Sequence, residues 1–397
     1  IKATAAKSRC NLNVCRNDRA TGLGIVAGSA SIGAYRFRVT GQANSGTKPQ
    51  KRRWTVGDGV GEQHRNLARK LVTALQRKDG DRKRRPVHTF GTGASGHFIP
   101  SPVAATFCDA EHFRSPTPAT IRFSNGSGSA VRRDGWSDVR GMATRFHLSD
   151  NKATDLIGMT LPVFFTPDGE SFLKFAIEAR PKPCQRATPW QKFRDMLRLT
   201  PPAPDPYEGE TISPDAGAIA FAHQHDYARA GVFQAATIGA PQSYARAAYH
   251  AVHSFVATGA DGTRRWVRFS WQPVSGVLTT NPEKDPVIDD YLQAELARRL
   301  HNGPALFSLM MQIGEVGDEV NNPTRAWPPH RVRIMMGTLY VERMLDDVTT
   351  ETLSFNPHLL TRGIAPSDDP VLWVRKSAYE VSSGRRRGTP CPFHGER

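Results

Sequence analysis

Apolar residues recur along this chain with two different periods, and the change from one to the other marks its elements. In VGEQHRNLARKLVTALQRK, residues 60–78, Leu67, Leu71 and Leu75 fall four apart, which predicts an amphipathic helix. Five later segments alternate with a period of two: ATIRFSNG (119–126), RGMATRFHL (140–148), HAVHSFVAT (250–258), RRWVRFSWQPV (264–274) and RVRIMMGTLYVER (331–343). Gly, Pro and Asp clusters separate them, the pattern of a mostly antiparallel sheet or barrel with long connections. Helical patterning returns in IDDYLQAELARRLHN (288–302). It returns again from about residue 370, where Asp368 or Asp369 caps a helix and Pro370 takes its first turn. The sequence holds no internal repeat.

The first fifty residues follow neither period. Lys2, Lys7, Arg9, Arg16 and Arg19 precede an uncharged run from Ala20 to Tyr35, and polar, Gly-rich sequence leads on to KPQKRR at 48–53. That order is the one expected of a signal or membrane-anchor segment with a linker, or of a basic tail. A periplasmic or membrane-anchored location is the expectation, with a cytoplasmic one as the alternative. The folded domain is expected to span residues 54–397.

Composition narrows the function class only a little. The 397 residues are 39% hydrophobic and 23% charged, the balance of a globular protein, and 29 Pro with 34 Gly imply many turns. A net charge of +16 raises the question of an acidic partner, yet much of it is local: residues 1–57 hold eleven Lys and Arg against Asp18 alone. Neither paired Cys/His finger spacing nor an aromatic RNA-binding signature is present, so nucleic acid is not expected as a partner. The five cysteines, at 10, 15, 108, 184 and 391, fit neither a zinc site nor a disulfide framework and are expected as free thiols, with Cys391 exposed near the C-terminus.

Three stretches carry candidate chemistry. Alternation in ATIRFSNG puts Ile121 and Phe123 on one face and Thr120, Arg122 and Ser124 on the other; the plainer reading is a half-solvated strand with Arg122 outward. In VLWVRKSAYEVSSGRRRG (371–388), Arg375 and Tyr379 share a helix face at i and i+4, and Arg386 lies seven residues further on. A guanidinium beside a phenol favours the phenolate, a hard anionic ligand suited to ferric iron, whereas a core Tyr beside a snorkelling Arg is the alternative. In RRPVHTFGTGASGHF (84–98), His88 stands between arginines and a Gly-rich loop. It is either structural or held against something bulky.

Together with SDVRGMATRFH, DLIGMTLPVFFTPDGESF, NNPTRAWPP and FNPHLLTRGIAPSDDP, these stretches occur in an order that resembles the haem catalases, most closely their short, catalase-related peroxidase branch. The resemblance covers roughly residues 60–390. It implies an α+β fold: an antiparallel β-barrel core with wrapping segments and flanking helices, without the C-terminal domain of large catalases, since 18 residues follow Tyr379. It implies ferric haem b (iron protoporphyrin) as cofactor, with Tyr379 as proximal iron ligand, Arg375 holding it as phenolate, and Arg85, Arg122 and Arg386 binding the propionates. Val87, Phe164 and Phe172 would pack against the ring. His88 would be the distal acid–base group, with Ser124 fixing its tautomer. Peroxide would be cleaved through an oxo-ferryl intermediate.

One departure bears on function. Where true catalases carry Gly-Asn-Asn-Thr-Pro, this chain has Gly158-Met159-Thr160-Leu161-Pro162, which puts Met159 on the distal asparagine. A thioether donates no hydrogen bond and is itself oxidisable. The expectation is a peroxidase acting on hydrogen peroxide or organic hydroperoxides with a small organic reductant, and only weakly a catalase. The alternatives are a true small catalase and a fatty-acid hydroperoxide isomerase or dehydrase. A homo-oligomer is left open.

Overall fold

The computed structural model describes residues 58–76, 84–126, 134–135, 137–179, 188–198, 217–281 and 290–387. The boundary expected at 53/54, the N-terminal basic segment and Cys10, Cys15, Cys184 and Cys391 lie outside these. Cys108 is a free, buried thiol. Among the described residues, no helix is long and apolar enough to cross a membrane.

Helix α1 (Asp58–Leu75) is followed by strand β1 (Gly91–Pro100), helix α2 (Ala104–Phe107) and strands β2 (Thr117–Asn125), β3 (Arg140–His147) and β4 (Ala153–Met159). Helices α3 (Gly169–Glu178), α4 (Pro189–Leu197), α5 (Gly217–Gln224) and α6 (Asp226–Thr237) come next. Strands β5 (Tyr249–His250), β6 (Phe255–Thr258) and β7 (Arg264–Pro273) then lead to helix α7 (Tyr291–Asn302). The chain ends in β8 (Ala305–Ile313), β9 (Arg333–Met344), helix α8 (Asp347–Thr352), β10 (Ile364–Pro366) and helix α9 (Pro370–Arg387).

Eight strands close into an antiparallel barrel in the order β7-β5-β4-β3-β2-β1-β9-β8, with β8 pairing back onto β7; β6 and β10 extend the wall beyond β7. Closure leaves no open edge in the ring. Inward positions fill the barrel with one apolar core that includes Phe98, Ile121, Phe123, Phe146, Tyr249, Trp271, Phe307 and Leu339. The expected alternation in β2 therefore holds: Ile121 and Phe123 point in. Arg122 points to the other face but is only 4% exposed. The plainer reading of it as a solvated strand residue is corrected, because helices cover that part of the wall.

The Gly-rich sequence after His88 is a barrel strand and not a loop. A side chain at Gly96 would run into the Tyr340 carbonyl oxygen of β9, and the register shifts between Ser95 and Gly96. Close approach of two neighbouring strands therefore requires glycine there. HAVHSFVAT, read as one strand, is two: the chain leaves the ladder between His250 and Phe255. Outside the barrel, Leu67, Leu71 and Leu75 of α1 pack with Phe172, Leu173 and Ala176 of α3 and Val374 and Ala378 of α9. Asp369 caps α9, its Oδ1 accepting from the Val371 and Leu372 amides at 2.8 and 3.3 Å, and Pro370 opens the helix as expected.

Candidate functional site

One cavity lies between the outer face of the barrel wall and helices α1, α3 and α9. All eleven residues expected at the site line it: Arg85, Val87, His88, Arg122, Ser124, Met159, Phe164, Phe172, Arg375, Tyr379 and Arg386. About 1170 Å3 of empty space separates its walls, part of it open to solvent.

The floor is built by strand register. Gly91 pairs with Ser124, Ser124 with Gly141, Gly141 with Met159 and Met159 with His250, so one outward-facing row crosses five strands. Directly paired residues in an antiparallel ladder project to the same side. His88 stands over this row. Its Nδ1 lies 3.0 Å from Ser124 Oγ, and a Cβ on Gly141 would come within 2.8 Å of its Cε1 and Nδ1. The His88 backbone has φ 53°, in the left-handed region, held by its amide donating to Gly126 O at 3.1 Å and its carbonyl accepting from Arg122 at 3.1 Å. Burial pushes the imidazole down to about 4, partly opposed by Asp138 and reinforced by Arg122, Arg375 and Arg85. The ring is neutral near pH 7 and can accept a proton.

Tyr379 and Arg375 sit on the opposite side, on α9. Arg375 Nη2 donates to Tyr379 Oη at 2.9 Å, and Arg375 Nη1 lies 2.8 Å from His253 Nε2. His253 Nδ1 is in turn 2.6 Å from Asp369 Oδ2. This gives a buried chain from Asp369 through His253 and Arg375 to the phenol oxygen, with His253 3% and Asp369 1% exposed. Burial lowers His253 while Asp369 raises it.

A third side is cationic. Arg85 donates to Glu351 Oε2 at 3.1 Å and to Leu353 O at 2.6 Å, and Arg386 donates to Glu351 O at 3.1 Å. Arg122 approaches Glu351 at 3.9 Å. Two guanidiniums thus share one carboxylate, and the third holds the main-chain carbonyl of the same residue. Burial, then Arg85, lowers Arg122 to about 9 and Arg386 to about 10. The Nε atoms of Arg122 and Arg386 are buried without an acceptor. Such a cluster suits a further dianionic group. The remaining wall is aromatic: Phe164 and Phe172 meet edge to face at 5.0 Å. The Phe164 amide donates to Pro323 O at 2.8 Å, which places the NNPTRAWPP segment behind it.

Thr160, beside Met159, turns away. Its hydroxyl accepts from the Arg140 amide at 3.0 Å and it is not among the residues that line the cavity, so it does not replace a distal donor. Four residues of the site were not read from the sequence: His250, His253, Glu351 and, as a contact for His88, Gly141. On an unbroken strand His250 and His253 would point to opposite faces; the break after β5 brings both to the site.

The catalase family model matches residues 67–207 and 210–391. A catalase-related peroxidase of Mycolicibacterium paratuberculosis is 32% identical, covering 78% of this chain and 92% of its own length. A catalase-related peroxidase of Synechococcus elongatus is 27% identical over 75% of this chain and 82% of its own. Catalase-2 of Bacillus subtilis is 28% identical over 78% of this chain but 46% of its own length.

Proposed function

The chain belongs to the catalase family and is an oxidoreductase acting on peroxide, and on that premise we propose that it works chiefly as a haem-dependent peroxidase that disproportionates hydrogen peroxide only weakly. Met159 carries the reading: it lines the cavity in the outward row beside Gly141, over which His88 stands, and it offers no hydrogen-bond donor.

Haem b, when bound in its ferric form, supplies the redox chemistry of O–O cleavage. The residues fit it. Tyr379 would ligate the iron through its phenol oxygen, to which Arg375 donates. Arg85, Arg122 and Arg386 would hold the two propionates, a dianion among three cations. Val87, Phe164 and Phe172, which line the cavity, would pack against the ring. His88, neutral and tethered through Nδ1 to Ser124, keeps Nε2 for substrate. It takes a proton from one peroxide oxygen and returns it to the departing one, so that water or an alcohol leaves.

Oxygen release from hydrogen peroxide by haem-loaded protein, with and without a phenolic reductant, tests the reading. Little oxygen and fast oxidation of the phenol are expected, with Met159→Asn raising oxygen release severalfold. Copious oxygen that the phenol hardly lowers would instead identify a true catalase. Products formed from a fatty-acid hydroperoxide without reductant would point to isomerase or dehydrase chemistry.

Gly141→Ala should be as informative about geometry. The added methyl meets the His88 ring and, at 2.9 Å, Ser124 Oγ. A displacement of about an ångström at a reacting group is expected to lower peroxide turnover by about 10²-fold. Haem uptake, measured by Soret absorbance, should be retained; unchanged turnover would refute this seat for His88.

A further inference from the structure

We propose that His250 is a second imidazole of the peroxide site, donating to the substrate the hydrogen bond that Met159 cannot. The assignment deepens the haem-peroxidase reading and rests on it. The sole β4–β5 pair is Met159 with His250, so the two side chains rise from the same face on neighbouring strands, and both line the cavity that holds His88. Strand neighbours are about 4.8 Å apart. An imidazole carries its outer nitrogen further from the backbone than an asparagine amide does. From the adjacent strand it can therefore reach the space an amide at 159 would occupy.

Four observations favour that use. Among the described residues, no protein group hydrogen-bonds the His250 ring, whereas His88, His253 and His358 are all engaged. Burial, helped by Arg333, pushes His250 down to about 4, so near neutral pH the ring keeps one N–H donor and one lone pair. The other nearby replacement, Thr160, does not line the cavity and takes the Arg140 amide on its hydroxyl. Tyr249, the preceding residue, points into the barrel core and hydrogen-bonds Tyr244 O at 2.8 Å, which fixes the strand so that His250 must face outward.

The test is cyanide binding to the ferric haem protein, followed by the Soret shift, because bound cyanide presents a hydrogen-bond acceptor to the distal side. His250→Phe is expected to raise the dissociation constant about tenfold and His250→Gln, which keeps an N–H, by less than about threefold. His250→Val, smaller than the imidazole, serves if phenylalanine disturbs packing, with the same tenfold effect expected. Met159→Asn added to His250→Phe should recover most of the loss. Haem uptake with cyanide affinity unchanged in both apolar variants would overturn the assignment of His250 alone. If the wild-type chain develops no Soret band when titrated with haem, the haem reading falls and His250 with it.

Discussion

Replacing His88 with alanine is expected to lower peroxide turnover by about 10³-fold while haem uptake stays near normal. General acid–base catalysis by one positioned group contributes about 10² to 10⁴-fold, and this residue is positioned from several sides. Its side chain is tied to Ser124, its carbonyl to Arg122, and its amide to Gly126 O. A histidine at φ 53° is also strained; such backbone costs on the order of 1 to 3 kcal/mol where the surroundings enforce it. His88→Gly relieves that strain, so it should lose as much activity as the alanine variant without a lower melting temperature. The pH profile has a defined sign. Above about 4 the ring is neutral and accepts a proton; below that value it is charged, and kcat/KM should fall about tenfold per pH unit. A variant at 88 that keeps a third or more of wild-type turnover would remove the residue from the mechanism.

Asp369→Ala should produce the largest loss of stability. The carboxylate caps α9 through Oδ1 and meets His253 through Oδ2, and its removal strips both functions. Burial holds His253 below the usual imidazole range, so what is lost is a buried hydrogen bond to a carboxylate, about 1 to 3 kcal/mol, because the remaining ring keeps its burial and loses its acceptor. A lost cap adds about 1 kcal/mol. The damage is transmitted, since His253 holds Arg375 and Arg375 donates to Tyr379. Asp369→Asn keeps the capping oxygen but turns an amide N–H2 toward His253, so denaturant unfolding should place it between the wild type and the alanine variant. Equal midpoints for wild type and Asp369→Ala would show that the chain of contacts carries no energy.

Much of this arrangement was legible before the structure, for identifiable reasons. The stripe of Leu67, Leu71 and Leu75, the alternation of β2, β3, β7 and β9, and the Asp-Pro start of α9 are local signals, and local physics decided those elements. Strands β1 and β8 were not legible. β1 reads as a loop because its glycines answer to neighbouring strands, not to its own propensity. In β8, ALFSLMMQI, Leu306 and Met310 alternate with buried apolar positions, so apolar residues occupy both faces and no period of two stands out. Helices α5 and α6 are short and bury small or apolar residues on more than one side, which blurs the period of 3.6. At the site, the eleven candidate residues drawn from the family motifs all line the cavity. His250, His253 and Glu351 have no comparable mark, since each acquires its place from a strand pairing or a contact far away in sequence.

That remoteness has a consequence for how the protein is made. Arg85 and Glu351, which meet in the cationic wall, stand 266 residues apart along the chain, and β1 finds its second neighbour only when β9 has formed. Contacts so distant in sequence form late and slowly. A nascent chain that has emerged through β5 already holds His88, Ser124 and Met159 but lacks the helix bearing Tyr379, so on the proposed haem reading cofactor capture would wait for nearly the last of the described residues. Acquisition of haem colour during synthesis or refolding would therefore time the closing of the barrel.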